Sequence, residues 1–157
     1  MKRLTLLIVL FAISLGGFAQ VDSLIGFEGL VFLGEDRGDE VHIELFDGNH
    51  KISSYTTTGN GKFILDLERN KYYIVQFSKE NYVTKRVIID TRIYDDEVEP
   101  KEEFHFDVFL IKSRKNVDYS LLDFPIAIVQ FRESKQKFEY DEKYFKARHD
   151  EQKTFIK

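Results

Sequence analysis

Four histidines, His42, His50, His105 and His149, are the side chains of this sequence best suited to metal binding or proton transfer, and their spacing gathers none of them locally. No pair stands two apart, as a strand needs to present both on one face, or four apart, as a helix needs. His42 and His105 fall on outward faces of separate alternating segments, so only a fold that laid those segments side by side could join them at one ion. The carboxylates form two runs, Glu35-Asp36 with Asp39-Glu40 and Asp95-Asp96-Glu97 with Glu99. Both offer hard oxygen ligands to calcium, but neither has the glycine-punctuated aspartate spacing of a dedicated loop, and solvated surface loops are the expectation. Arg37-Gly38-Asp39 matches the integrin tripeptide by letter, too short a match to weigh. Cysteine is absent, which removes disulfides, thiolate metal sites and thiol catalysis. There is no Gly-x-Ser-x-Gly turn, phosphate-cradling glycine loop or Ser-x-x-Lys pair. The expectation is a chain with no catalytic residues, no cofactor and no metal site.

A sugar-stacking surface is the remaining chemical option, since the chain carries 15 Phe and 8 Tyr, but it has no tryptophan, the best stacking residue. Most of the phenylalanines sit at period-two positions that assign them to a core. Phe46 and Phe109 face away from their neighbours' apolar set.

The elements that must position all of these are strands. Val41, Ile43 and Leu45 alternate with His42, Glu44 and Phe46 before Asp47-Gly48-Asn49 breaks the run. Lys51 to Thr57 is rich in β-favouring residues, and Gly59-Asn60-Gly61 tolerates positive φ, with Gly61 as the structural turn residue. Phe63, Leu65 and Leu67 then share one face; Tyr73, Val75 and Phe77 line the next strand; Val87 and Ile89 point inward from Tyr82 to Asp90; and Phe104, Phe106, Val108 and Leu110 give the cleanest alternation of all. Counting Phe27 to Leu33, this makes about seven strands with no helical pattern between them, which predicts an all-β fold of antiparallel sheets packed face to face.

Gly29-Leu30-Val31, Val41 to Phe46, Thr57-Thr58-Gly59-Asn60-Gly61-Lys62-Phe63 and Tyr73 to Tyr82 together resemble the carboxypeptidase regulatory-like domain, a peptidase-associated, transthyretin-like (prealbumin-like) β-sandwich. The match runs from about Phe27 to Ile111. It implies a non-catalytic accessory or adaptor module. The charged loop Gly34 to Glu40 lacks the proline usual in that family. With Asp118 to Phe131 and Phe138-Glu139-Tyr140-Asp141, the chain also resembles small exported envelope proteins of the Bacteroidota.

Export is read from the start of the chain. Lys2 and Arg3 precede an apolar run from Leu4 to Leu15, and small residues lead to a cleavage site between Ala19 and Gln20. The run is about 12 residues, short of the roughly 20 that span a bilayer. The expected organisation is a signal peptide at 1–19, the regulatory-like sandwich at 20–112 and an extension at 113–157. Removing residues 1–19 leaves 21 basic against 27 acidic side chains and a formal charge of −6. That charge argues against nucleic acid and anionic membrane surfaces as partners, and no membrane span is expected in the mature chain.

In the extension, Pro125 opens the run Ile126-Ala127-Ile128-Val129-Gln130-Phe131, a strand near 125–132, with Lys137 to Tyr140 able to pair with it. Left at a sheet edge, so apolar a strand would invite either coverage by the chain itself, which is favoured, or a partner's strand. Asp141 can cap a helix over 141–156 that is polar enough to be a frayed tail or a partner-dependent element. The functional expectation is an exported, periplasmic, outer-membrane-associated or secreted protein that is not an enzyme and binds envelope or outer-membrane proteins. The alternative is a small-ligand or glycan-binding β-sandwich.

Overall fold

The computed structural model describes residues 24–95 and 97–156. The export segment and the Ala19-Gln20 site therefore lie outside the described residues. The strands are β1 (Ile25–Leu33), β2 (Asp36–Arg37), β3 (His42–Asp47), β4 (His50–Thr56), β5 (Lys62–Leu67), β6 (Tyr72–Ser78), β7 (Lys85–Asp90), β8 (Phe104–His105), β9 (Val108–Leu110), β10 (Ala127–Arg132) and β11 (Lys137–Tyr140). A helix, α1 (Glu142–Ile156), follows them, and a 3-10 turn occupies Ser120–Leu122.

The chain is an all-β sandwich. One sheet holds β1 with β2, β5, β8 and β9; the other runs β11-β10-β7-β6-β3-β4. Alternation decides which side chains meet between them: Phe63, Leu65 and Leu67 from β5 face Tyr73, Val75 and Phe77 from β6 and Val87 and Ile89 from β7. The centre is aromatic, with Phe63 edge-on to Phe77 at 5.2 Å and to Phe106 at 5.0 Å between ring centroids. Each such ring is worth about 1.5–3 kcal/mol in removal from water.

Among the described residues eleven strands replace the roughly seven read from pattern, and the sheets are mixed rather than purely antiparallel. Two additions come from the extension, whose strands join the six-stranded sheet. Another is β2, where part of the charged loop hydrogen-bonds back onto Phe32 and Leu33. The last arises because the run Phe104–Leu110 divides at Phe106-Asp107. There the Asp107 carboxylate accepts the Leu30 N–H at 3.0 Å, in place of a ladder carbonyl. Both halves keep one register beside β1 and run parallel to it, Phe27 beside Phe104 and Val31 beside Val108. β10 likewise runs parallel to β7, because the segment between β9 and β10 crosses back before the strand begins. It lies between β7 and β11, so it has no free edge for a partner's strand.

The motif Thr57 to Phe63 serves as a fastening. The buried Thr57 hydroxyl donates to the Gly38 carbonyl and accepts the Val41 N–H at 2.9 Å, tying the end of β4 to the loop before β3. Gly61 has φ +66, and a Cβ there would stand 2.6 Å from the Val31 carbonyl oxygen and 2.9 Å from the Gly38 nitrogen. Its own carbonyl accepts the Val31 N–H at 2.8 Å. Gly61 thus meets two demands, a left-handed backbone and close approach to β1, of which pattern reading anticipates only the first.

Candidate functional site

The inward row of β7 is Lys85, Val87 and Ile89. Val87 and Ile89 join the core, whereas Lys85 reaches the end of the sandwich where α1 lies across it. A second connection closes that end: the Val83 N–H donates to the Ile111 carbonyl at 2.8 Å and the Ser113 N–H to the Asn81 carbonyl at 2.8 Å, joining the β6–β7 turn to the segment after β9. Between this seam and α1 lies a cleft of about 880 Å³, within the roughly 300–1,000 Å³ range of small-molecule sites.

Several local features hold α1 there. Asp141 caps it, its carboxylate accepting the Tyr144 N–H at 3.0 Å, as the sequence suggests. The Tyr144 hydroxyl donates to the Pro125 carbonyl at 2.8 Å, Phe145 stacks on Tyr140 with ring centroids 4.8 Å apart, and the Arg114 guanidinium donates to the Phe155 carbonyl. The expectation of a frayed or partner-dependent helix is corrected on this point. Its apolar side chains are few, but Phe145, His149 and Gln152, spaced i, i+4, i+7, turn one face to the cleft.

The cleft walls are mainly apolar, with Leu110, Ile111 and Ile126 and the aromatic rings of Tyr140, Phe145 and Phe155 among their side chains. Lys85 is 4% exposed, and among the described residues its one hydrogen-bond partner is the Gln152 side-chain oxygen, with no carboxylate in ion-pair range. Burial pushes the Lys85 ammonium down from 10.5 to about 8. The Tyr140 phenol is pushed up to about 12, first by burial and then by the Asp107 charge. Neither side chain belongs to a motif that the sequence marks as chemical. The signal for Lys85 was present, since a lysine two residues before Val87 sits in the inward register.

The lysine's displaced titration gives stability a defined pH dependence. Between about pH 8 and 10.5 the unfolded chain holds more protons than the folded one, so stability rises with pH through that window, and the cost of the buried charge is complete below about pH 8. The change should approach about 3 kcal/mol. Urea unfolding of wild type and Lys85→Met at pH 7, 8, 9 and 10 is expected to show the wild type gaining on the variant as pH rises. Parallel profiles would mean that the amine is solvated.

The other candidate residues disperse. His42 lies on β3 in the six-stranded sheet, with its Nε2 3.7 Å from Glu44 Oε1, and His105 lies on β8 in the other sheet, so the two cannot share an ion. His105 instead meets carboxylates, because parallel pairing sets it beside Glu28. Glu28, Glu103 and His105 bring ligand atoms within 4.8 Å of one another, a convergence of three distant positions that spacing does not reveal. Glu28 is already committed there, bonding the Lys62 ammonium at 2.7 Å and His105 Nδ1 at 3.1 Å, and Lys62 holds its carboxyl below the usual range. His50 begins the edge strand β4, exposed. His149 lies on the cleft face of α1, stacked on Phe145. Phe46 is half-buried on β3, while Phe109 stays exposed and stacks on Phe32 at 4.7 Å, beneath the Arg37 guanidinium. Of the second acidic run, Asp96 lies outside the described residues, and Glu99 pairs with Arg69 at 2.9 Å.

Compared with known proteins, the chain matches no family model and no curated protein sequence. Among solved structures it is similar to 3-chlorocatechol 1,2-dioxygenase from Rhodococcus opacus 1CP, at 13% identity and TM-score 0.44, covering 62% of this chain and 62% of that one. It is also similar to catechol 1,2-dioxygenase from Acinetobacter sp. ADP1, at 13% identity and TM-score 0.44, with 69% of this chain and 59% of that chain covered. S.CueP matches at 12% identity and TM-score 0.38, over 58% of this chain and 64% of that one. The chain thus spans less than two thirds of the length of each, and likenesses at these values carry nothing about chemistry.

Proposed function

We propose that this chain is an exported, non-catalytic β-sandwich of the cell envelope that binds a small, largely apolar molecule in the cleft beneath α1. The observation that carries the reading is the cleft itself, about 880 Å³ walled by aliphatic and aromatic side chains with polar groups at a few points. Binding is favoured over catalysis because the most deeply buried ionisable group of the cleft, Lys85, is partnered by the amide of Gln152, which neither takes nor gives a proton near neutral pH. Export is supported by the basic start, apolar run and small-residue site of residues 1–20. The transthyretin-like, carboxypeptidase regulatory-like resemblance is compatible with an accessory role. An adaptor for envelope proteins is the other reading of that resemblance, and it needs a surface other than β10, which lies inside the sheet.

Nile red, an uncharged apolar dye, tests the proposal. It is expected to bind saturably at one site per chain and to be excluded by Ile126→Trp, which fills the cleft from the β10 side while thermal melts confirm folding. Absence of saturable binding, or equal binding by the filled variant, overturns it.

A further inference from the structure

We infer that the natural ligand of the cleft is an apolar molecule bearing a single carboxylate or comparable anionic head, and that the Lys85 ammonium receives this head. The inference rests on the ligand-binding reading above and adds the ligand's charge and its orientation.

Lys85 is the least compensated charge of the site. An ammonium carries three N–H donors, and among the described residues one is used, by Gln152. A buried cation without a counter-ion is costly, and natural folds retain one where something supplies the missing charge. Among the described residues no carboxylate of the cleft lies in ion-pair range of Lys85. Asp107 is the carboxylate of its lining; its Oδ1 is turned to the Leu30 N–H, and it makes no ion pair with Lys85. The other charged side chains of the lining, Lys112 and Arg114, are basic and exposed. In a chain of net negative charge, the lining of this cleft thus holds three basic side chains, Lys85, Lys112 and Arg114, against one carboxylate, Asp107. At neutral pH the Lys85 amine stays mostly protonated, since its displaced titration lies near 8.

The geometry also orients the guest. Lys85 enters the cleft from β7, and Ile111, Ile126, Phe145 and Phe155 supply apolar lining in the same cleft. A head that pairs with Lys85 therefore leaves its tail against these side chains. Gln152 would share the head, its amide N–H donating to the second carboxylate oxygen once its carbonyl releases the ammonium. Sugars and peptides fit poorly, because they would bury many hydroxyl or amide groups against walls that offer few partners.

Decanoate, decanol and decylamine share one tail and differ in the head, so titration calorimetry with the three separates the terms. On the wild-type protein decanoate is expected to bind about tenfold tighter than decanol, and decylamine more weakly than both. In Lys85→Met the decanoate-to-decanol ratio should fall to within about twofold. Equal wild-type affinity for decanoate and decanol would overturn the charge assignment while leaving an apolar site in place. No binding by any of the three, together with no Nile red binding, would overturn the ligand-binding reading itself. If Lys85→Met does not fold, the wild-type comparison alone decides.

Discussion

A protein ending at residue 112 is expected to lose its cooperative fold. The deletion removes β10, an interior strand, and β11 beyond it, leaving the edge of β7 away from β6 unpaired from Val87 to Asp90. It also takes Val129, fully buried, and Phe138, which packs edge-on against Phe27 with ring centroids 5.0 Å apart. Those two side chains alone represent about 3–6 kcal/mol of burial, against the roughly 5–15 kcal/mol that separates a typical domain from its unfolded state. The lost ladder bonds and the newly opened face between the sheets come on top. Circular dichroism melts of residues 20–112 and 20–157 make the comparison: a sigmoidal transition for the longer chain and none for the shorter is the expected result. A cooperative melt and dispersed amide spectrum for 20–112 would show that the sandwich closes without the extension.

Gly29→Ala is expected to destabilise the protein by about 3 kcal/mol or more. A Cβ at Gly29 would fall 1.6 Å from the Phe106 carbonyl oxygen and 2.9 Å from Phe63 Cζ, so the methyl has no space unless β1 parts from the strand beside it. The neighbouring segment is pinned by the Phe106 N–H bond to the Glu28 carbonyl and by the Asp107 bond to the Leu30 N–H, and it cannot shift alone. Gly59→Ala is the control, since nothing lies within 4 Å of a Cβ there, and it should stay within about 0.5 kcal/mol of wild type. Similar urea midpoints for the two variants would refute the close approach.

What pattern could and could not reveal follows from which contacts are local. Phe63, Leu65 and Leu67, or Tyr73, Val75 and Phe77, announce their strand and face because adjacent side chains point to opposite sides of a pleated backbone. The pairing of Glu28 with His105 leaves no such mark, because parallel neighbours are chosen by the path of a long connection. The helix posed a different difficulty. Its burial depends on single contacts such as Tyr144 with Pro125 and Phe145 with Tyr140, which a weak amphipathic pattern does not advertise. Lys85 illustrates how a site is overlooked: its position in the β7 alternation places it inside, but a lysine inside is an exception to the hydrophobic rule that makes the alternation readable.

The parallel pairing of β1 with β8 and β9 also governs when the protein can fold. β1 is the first described strand, yet one flank of it is completed by residues 77 positions further along, and β7 waits in the same way for β10. Contacts this remote must close long loops before they return any free energy, which places the domain among slow, high-contact-order folders with times on the order of milliseconds to seconds. A chain synthesised from its N-terminus therefore reaches Leu110 before the sheet around β1 is finished and Tyr140 before the six-stranded sheet is. For a protein sent out of the cytoplasm, as proposed here, that delay keeps it an open thread during the interval in which it must be passed through a narrow channel.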